Sequence, residues 1–140
     1  MALAQLLPPG STIYAVDRDP NTLKGIPRQR NGVEIRKIVT DLQSSSLRLP
    51  SVDGVLMANT LHFIQDQQVF LRRLLSVADC FLIVEYERTK PNPWGPYPVR
   101  FEKIHQLLTQ AGVERVEKLA TRPSLFGGRM YSAFAERPRP

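Results

Sequence analysis

The sequence predicts a layered α/β protein built on a mostly parallel sheet. Three observations carry this. Short apolar, β-favouring runs alternate with helical patterns along the chain. Two of these runs, "DGVLMAN" at 53–59 and "CFLIVEY" at 80–86, are almost wholly apolar, as in strands buried on both faces. The last two runs, 113–120 and 129–135, have no helix between them, which suits an antiparallel closing pair.

Residues 2–7 read as the last turns of a helix, stopped by Pro8-Pro9-Gly10. A strand follows at 11–16 and closes on Asp17. Asp19 and Pro20 are helix-start chemistry, a side-chain oxygen for free amides and a proline at the first position. The short helix at 21–24 ends near Gly25, and Asn31-Gly32 marks a turn. A second strand, 33–40, closes at Asp41 and leads into a serine-rich loop around 44–46. Asp66 caps a helix at 67–77 whose Phe70, Leu71, Leu74 and Leu75 recur at helical spacing. "RTKPNPWGPYP", 88–98, is a proline-rich loop, and 99–111 is a helix with Phe101, Ile104, Leu107, Leu108 and Ala111 as its apolar stripe. Gly112 ends that helix, Gly127-Gly128 joins the last two strands, and "ERPRP" reads as a frayed tail. One domain over 1–137 with a tail at 138–140 accounts for the whole chain.

The chain has 140 residues, 42% apolar and 23% charged, as expected of a globular protein with a real core. No apolar run reaches the roughly 20 residues needed to cross a bilayer. The net charge is +6, but only Arg72-Arg73 are adjacent, so a nucleic-acid partner is open and unsupported. The single cysteine, Cys80, suits a reducing cytoplasm, and with two separated histidines, His62 and His105, it makes no metal-site spacing.

The stretch "IYAVDRDP" leaves one acid, Asp17, without a helix-capping role. Ligands of open parallel sheets gather beyond the carboxyl ends of the strands, where Asp17, Asp41 and Asn59 all fall. An acid there can grip both hydroxyls of a ribose. Strand-end aspartates are also common turn-formers, and for Asp17 alone the two readings weigh equally. The three positions together favour a nucleoside site.

On these residues the chain resembles a known family. "IYAVDRDP", "VTDLQSSSLRLPSVDGVLMANTLHFI", "CFLIVEYE" and "RFEKIHQLLTQAGVERVEKLA", in that order, are similar to class I S-adenosylmethionine-dependent methyltransferases, from about residue 12 to 136. The resemblance implies a Rossmann-like, mostly parallel sheet with helices on both faces and an antiparallel C-terminal strand. It implies S-adenosylmethionine as cofactor. It implies Asp17 on the ribose with Arg18 near the adenine, Asp41 on the adenine amino group with Leu42 beside it, and Asn59, Leu61 and His62 lining the cofactor.

One family element is missing. None of the eight glycines sits in a glycine-rich loop between a strand and a helix near the start. The chain opens partway through what would be the first helix. The expectation is therefore an N-terminally truncated domain, with Met1 an internal methionine taken as a start, or a chain that re-pairs its strands or self-associates through unpaired strand edges.

Catalytic residues are left unassigned. His62 is of the right type for a general base, although a packing or capping role after a buried strand is favoured. Glu85 and Tyr86 end a strand and can face substrate, and Trp94 and Tyr97 can form an aromatic lid, each with a plain structural alternative. Cys80 reads as a small buried residue and His105 as a surface one. The leading function is methyl transfer to an unidentified small or macromolecular acceptor. The alternatives are an inactive methyltransferase-like interaction or oligomerisation module and another nucleotide-binding Rossmann-like domain.

Overall fold

A computed structural model describes residues 2–138. The chain forms two compact units, one ending at Leu47 and the other starting at Arg48.

The first unit contains helix α1 (Leu3–Leu6), strand β1 (Thr12–Asp17), helix α2 (Pro20–Lys24), and strands β2 (Gln29–Arg30) and β3 (Val33–Val39). Its sheet has the order β1-β3-β2, with β1 and β3 parallel and β2 antiparallel to β3. Asp19 starts α2 as expected: its Oδ1 accepts from the Asn21 amide at 2.8 Å and Pro20 takes the first helical position. Asn31 and Gly32 have φ of +52° and +75°, so the turn between Arg30 and Val33 is the two-residue hairpin type in which both central residues are left-handed. That turn adds β2, a strand too short to show in the sequence pattern. Gly32 is required twice over, by its φ and by Pro9, whose Cβ lies 2.9 Å from where a side chain would begin. Ala4, Ile13, Val33 and Ile35 make the core of this unit, with Leu3, Leu7, Ala15 and Ile26 packed against it.

The second unit contains β4 (Val55–Ala58), a 3-10 turn (Leu61–Phe63), α3 (Gln67–Leu75), β5 (Cys80–Tyr86), α4 (Phe101–Gln110), β6 (Arg115–Pro123) and β7 (Arg129–Glu136). The sheet order is β4-β5-β7-β6: β4 and β5 are parallel, and β7 runs antiparallel between β5 and β6. The antiparallel closing strand expected at 129–135 is present as β7. Asp66 caps α3, its Oδ1 accepting from the Val69 amide at 3.0 Å.

Alternation along the strands sorts the two faces. Phe81, Ile83 and Glu85 of β5 stand opposite Ala135, Ala133 and Tyr131 of β7, and all six are buried. Buried Phe70, Leu71 and Leu74 of α3, with Ile104 and Leu108 of α4, complete that core. On the other face Leu56 is 45% and Leu82 36% exposed. The continuous apolar runs suggested strands buried on both faces. In the structure β4 and β5 are buried deeply on one face only, the face that carries Met57, Phe81 and Ile83.

Two element ends also differ from expectation. Strand β6 continues past Ala120 to Pro123, although Thr121-Arg122-Pro123 carries no apolar pattern. It is an exposed edge strand held by main-chain pairing to β7, with an irregularity between Lys118 and Ala120. The C-terminal "ERPRP" is not all frayed. Glu136 belongs to β7, and the Arg137 guanidinium donates to Asp79 Oδ1 at 2.6 Å and to the Leu75 carbonyl at 2.8 Å. Arg139 and Pro140 of the expected tail lie outside the described residues.

Ile83→Ala is expected to cost about 2–5 kcal/mol, and Leu82→Ala about 1 kcal/mol or less, in urea unfolding followed by circular dichroism. Equal losses would mean that the packed face has been misassigned. Gly32→Ala is expected to destabilise the first unit by about 1–3 kcal/mol, read as a lower denaturation midpoint.

Candidate functional site

In the first unit, parallel pairing brings Asp17 opposite Val39, two residues before Asp41. The Thr40 amide continues the ladder to the Asp17 carbonyl at 3.0 Å. Both acids therefore stand at the carboxyl end of neighbouring parallel strands. Each spends one oxygen locally: Asp17 Oδ1 accepts from the Asp19 amide at 2.8 Å, and Asp41 Oδ1 from the Gln43 amide at 2.9 Å. These are side-chain turns that reverse the chain after a strand. The second oxygen of Asp17 has no protein partner among the described residues. Asp17 is half-buried, Arg18 and Asp41 are exposed, and Leu42 is half-buried.

In the second unit, β4 ends at Ala58 and Asn59 turns the chain with φ +55°, a left-handed conformation that asparagine tolerates better than most residues. The Asn59 amide still bonds the Val84 carbonyl at 2.9 Å, so the turn begins in register with β5. The Glu85 side chain organises the 3-10 turn beyond it. Its Oε1 accepts from the Leu61 amide at 2.8 Å and the His62 amide at 3.3 Å. Its Oε2 lies 2.7 Å from His62 Nδ1. Glu85 is 1% exposed and His62 7%. A carboxylate buried this deeply is tolerable only because several donors converge on it. An ionised carboxylate only accepts, so Nδ1 carries the hydrogen and the imidazole is held in one tautomer.

The carbonyls of the same turn are held from the other side. Gln67 Nε2 donates to the Leu61 and Tyr97 carbonyls, both at 2.9 Å, and the Tyr97 amide donates to the His62 carbonyl at 3.0 Å. Leu61 is fully buried, so it contributes its backbone here and its side chain to the core.

His62 and Glu85 open onto a cavity of about 650 Å³ at the carboxyl ends of β4 and β5. Asn59 lies on its wall, and Phe63, Tyr86, Trp94 and Phe126 supply aromatic surface. Arg88 stands on the same wall with its guanidinium 5.1 Å from the Tyr86 ring centre. Trp94 and Phe126 are each 82% exposed and form the rim. Gly95 lies beside the histidine ring: a side chain there would begin 3.5 Å from His62 Cδ2, in ordinary contact.

Sequence reasoning named Asn59, His62, Glu85, Tyr86 and Trp94, and the fold brings these five together. Tyr97, the other half of the expected aromatic lid, acts through its backbone. Phe63 and Phe126 were not singled out, and Arg88 and Asn92 only as members of the proline-rich loop at 88–98. Phe63 sits beside a named residue and was legible; Phe126 comes from the β6–β7 connection and carries no local signal. Cys80 is half-buried and His105 exposed on α4. Among the described residues, no group of three or more His, Cys, Asp or Glu side chains is arranged to hold a metal ion. No helix among them is long and apolar enough to cross a membrane.

Two strand-end acids beside a parallel pair in one unit, and a lined cavity at the strand ends of the other, describe a ligand-binding α/β protein. The sequence profile of the family described as "Methyltransferase domain" matches residues 1–79, more than half of the chain, and the chain belongs to that family. No match is found among the curated proteins. Solved structures share its fold. The N-terminal domain of EvdMO1 with SAH bound superposes with a TM-score of 0.65 at 18% identity, over 99% of this chain and 68% of that one. A SAM-dependent methyltransferase from Aquifex aeolicus gives 0.61 at 19% identity, over 96% and 73%. The 1,6-didemethyltoxoflavin-N1-methyltransferase of Burkholderia thailandensis, with 1,6-didemethyltoxoflavin and S-adenosylhomocysteine bound, gives 0.64 at 18% identity, over 96% and 74%.

Glu85→Ala strands the His62 Nδ1 hydrogen and two backbone amides in a buried place. It is expected to lower stability by about 3–5 kcal/mol in urea unfolding. Glu85→Gln retains an acceptor for the amides and is expected to lose less than half as much.

Proposed function

We propose that this chain binds S-adenosylmethionine and transfers its methyl group to a small-molecule acceptor. The observation that carries the reading, beside the family membership, is the pair of carboxylates at the carboxyl ends of β1 and β3. Asp17 fits a ribose: one oxygen is fixed by its own loop, and the other is uncommitted and can accept from a hydroxyl. Asp41 fits an adenine amino group in the same way, as a half-free acceptor on the adjacent strand, with Arg18 and Leu42 beside the two acids. Two of the solved structures that share the fold hold S-adenosylhomocysteine, which supports the choice of cofactor.

S-adenosylmethionine, when bound, supplies a methyl group on a sulfonium that is its own leaving group. The protein has little covalent work to do and acts by positioning. In the first unit, the local hydrogen bonds of Asp17 and Asp41 hold their carboxylates in one orientation before any ligand arrives. In the second, the Asn59 turn and the Glu85-bound segment after it hold His62 at the wall of a cavity sized for a small molecule.

Titration of the whole chain with S-adenosylhomocysteine in a calorimeter tests this. Saturable binding is expected, and Asp17→Ala should weaken it about tenfold or more, the loss of hydrogen bonds to a charged acceptor. Undiminished affinity in that variant would remove Asp17 from the site. No heat at all from a folded chain would count for a methyltransferase-like module without activity.

A further inference from the structure

We infer that the cavity beside β4 and β5 takes an aromatic hydroxyl compound, and that His62, set by Glu85, receives the hydroxyl proton. The inference rests on the methyltransferase reading and names the acceptor class for it. Three observations in the second unit converge on this chemistry.

The first is the tautomer. Glu85 Oε2 occupies Nδ1 at 2.7 Å, so the hydrogen is on Nδ1 and the lone pair is on Nε2. Nε2 has no protein partner among the described residues, and His62 is on the cavity wall. An imidazole on a cavity wall with one nitrogen lone pair uncommitted, and a buried carboxylate on its other nitrogen, is the arrangement of a general base. Glu85 is the positioning residue: it fixes the ring and stabilises the imidazolium that forms.

The second is what such a base is needed for. A neutral amine already offers a lone pair, whereas a hydroxyl oxygen is a weak nucleophile until its proton leaves. In the step assigned to this chain the acceptor O–H bond breaks, the proton goes to Nε2, and the electron pair stays on the oxygen. The imidazolium is then paired with the Glu85 carboxylate, and the oxygen carries the negative charge. Arg88 puts a fixed positive charge on the same wall, where that oxyanion or another acidic substituent can meet it.

The third is the shape of the wall. Phe63, Tyr86, Trp94 and Phe126 surround a space of about 650 Å³, which admits a ring system. Aromatic faces stack on flat ligands. A ring also makes the hydroxyl more acidic than an aliphatic alcohol, which eases the transfer of its proton to an imidazole.

The chain has one tryptophan, Trp94, and it stands at the cavity rim, so binding can be read without cofactor or turnover. Two probes of one shape suffice: 4-nitrophenol, which has the proton, and its methyl ether 4-nitroanisole, which has none. In the wild-type chain, both should quench Trp94 saturably, with the ether about tenfold weaker or more, as expected for a lost hydrogen bond to a charged partner. At a pH where the free phenol is mostly un-ionised, bound 4-nitrophenol should show the yellow phenolate band. His62→Gln should lose that band and shrink the preference for the phenol over the ether to about twofold or less. Glu85→Gln should weaken the band and narrow the preference for the phenol over the ether, whereas a purely structural role for Glu85 would lower both affinities together.

Equal affinity of the wild-type chain for phenol and ether would overturn the inference without any variant. So would a phenolate band that survives His62→Gln, since Arg88 would then explain it alone. A chain that binds S-adenosylhomocysteine but neither probe remains a methyltransferase with a different acceptor. A chain that binds the phenol as described but no S-adenosylhomocysteine keeps this cavity assignment and loses the cofactor.

Discussion

The second unit depends on one buried carboxylate. Glu85, next to last in β5, is 1% exposed, where an unpaired charge would cost several kcal/mol. It is stable there because the turn after β4 delivers the Leu61 and His62 amides and the His62 ring to its two oxygens. The dependence is mutual. The 3-10 turn Leu61–Phe63 has no helix long enough to satisfy its own amides, and without Glu85 they would face a core. Burial therefore makes the turn and the acid a single object. The same contacts that remove an energetic penalty hold His62 in one orientation.

Other contacts keep the wall of the cavity in place. Tyr131 of β7, opposite Glu85 in the ladder, is buried and donates its hydroxyl to the Val99 carbonyl at 2.5 Å. Burial, with the nearby charges of Glu85 and Glu87, pushes the Tyr131 phenol well above its usual range, so it remains a donor at any working pH. That bond anchors the segment entering α4, and Val99 lies on the cavity wall. The Phe101 ring packs edge-on against Tyr131 at 5.8 Å and fixes the start of the helix. Gln67 ties the loop to the turn through the Tyr97 and Leu61 carbonyls. A proline-rich segment with no helix or strand of its own is thus held at several points by buried hydrogen bonds. The aromatic residues it carries, Trp94 at the rim among them, gain a defined position that way.

Much of the fold was legible because it rests on local chemistry. Asp19-Pro20, Asp66 and Asn31-Gly32 each act within a few residues of themselves, and each does in the structure what its type predicts. The antiparallel last strand was legible for a similar reason: no helix pattern separates it from its partner. Burial was less legible. "DGVLMAN" and "CFLIVEY" are apolar enough for two covered faces, yet Leu56 and Leu82 are open, since the count of apolar residues in a strand says nothing about how many helices reach it. The edge extension of β6 was hidden for the opposite reason. Its last residues are polar, and only main-chain pairing to β7 holds them.

The sequence by itself determined which acids, Asp17 and Asp41, stand at the carboxyl ends of β1 and β3, because turn chemistry is encoded within a few neighbouring residues. It also marked His62 and Glu85 singly, each as a polar residue at the end of an apolar run. Only the tertiary structure decided that the two meet, 23 positions apart, with the imidazole hydrogen on the carboxylate side. That outcome is set by the parallel register of β4 and β5, which puts the turn after one strand beside the last residues of the other. Register is a property of two segments and their shared core, and no reading of either segment alone contains it.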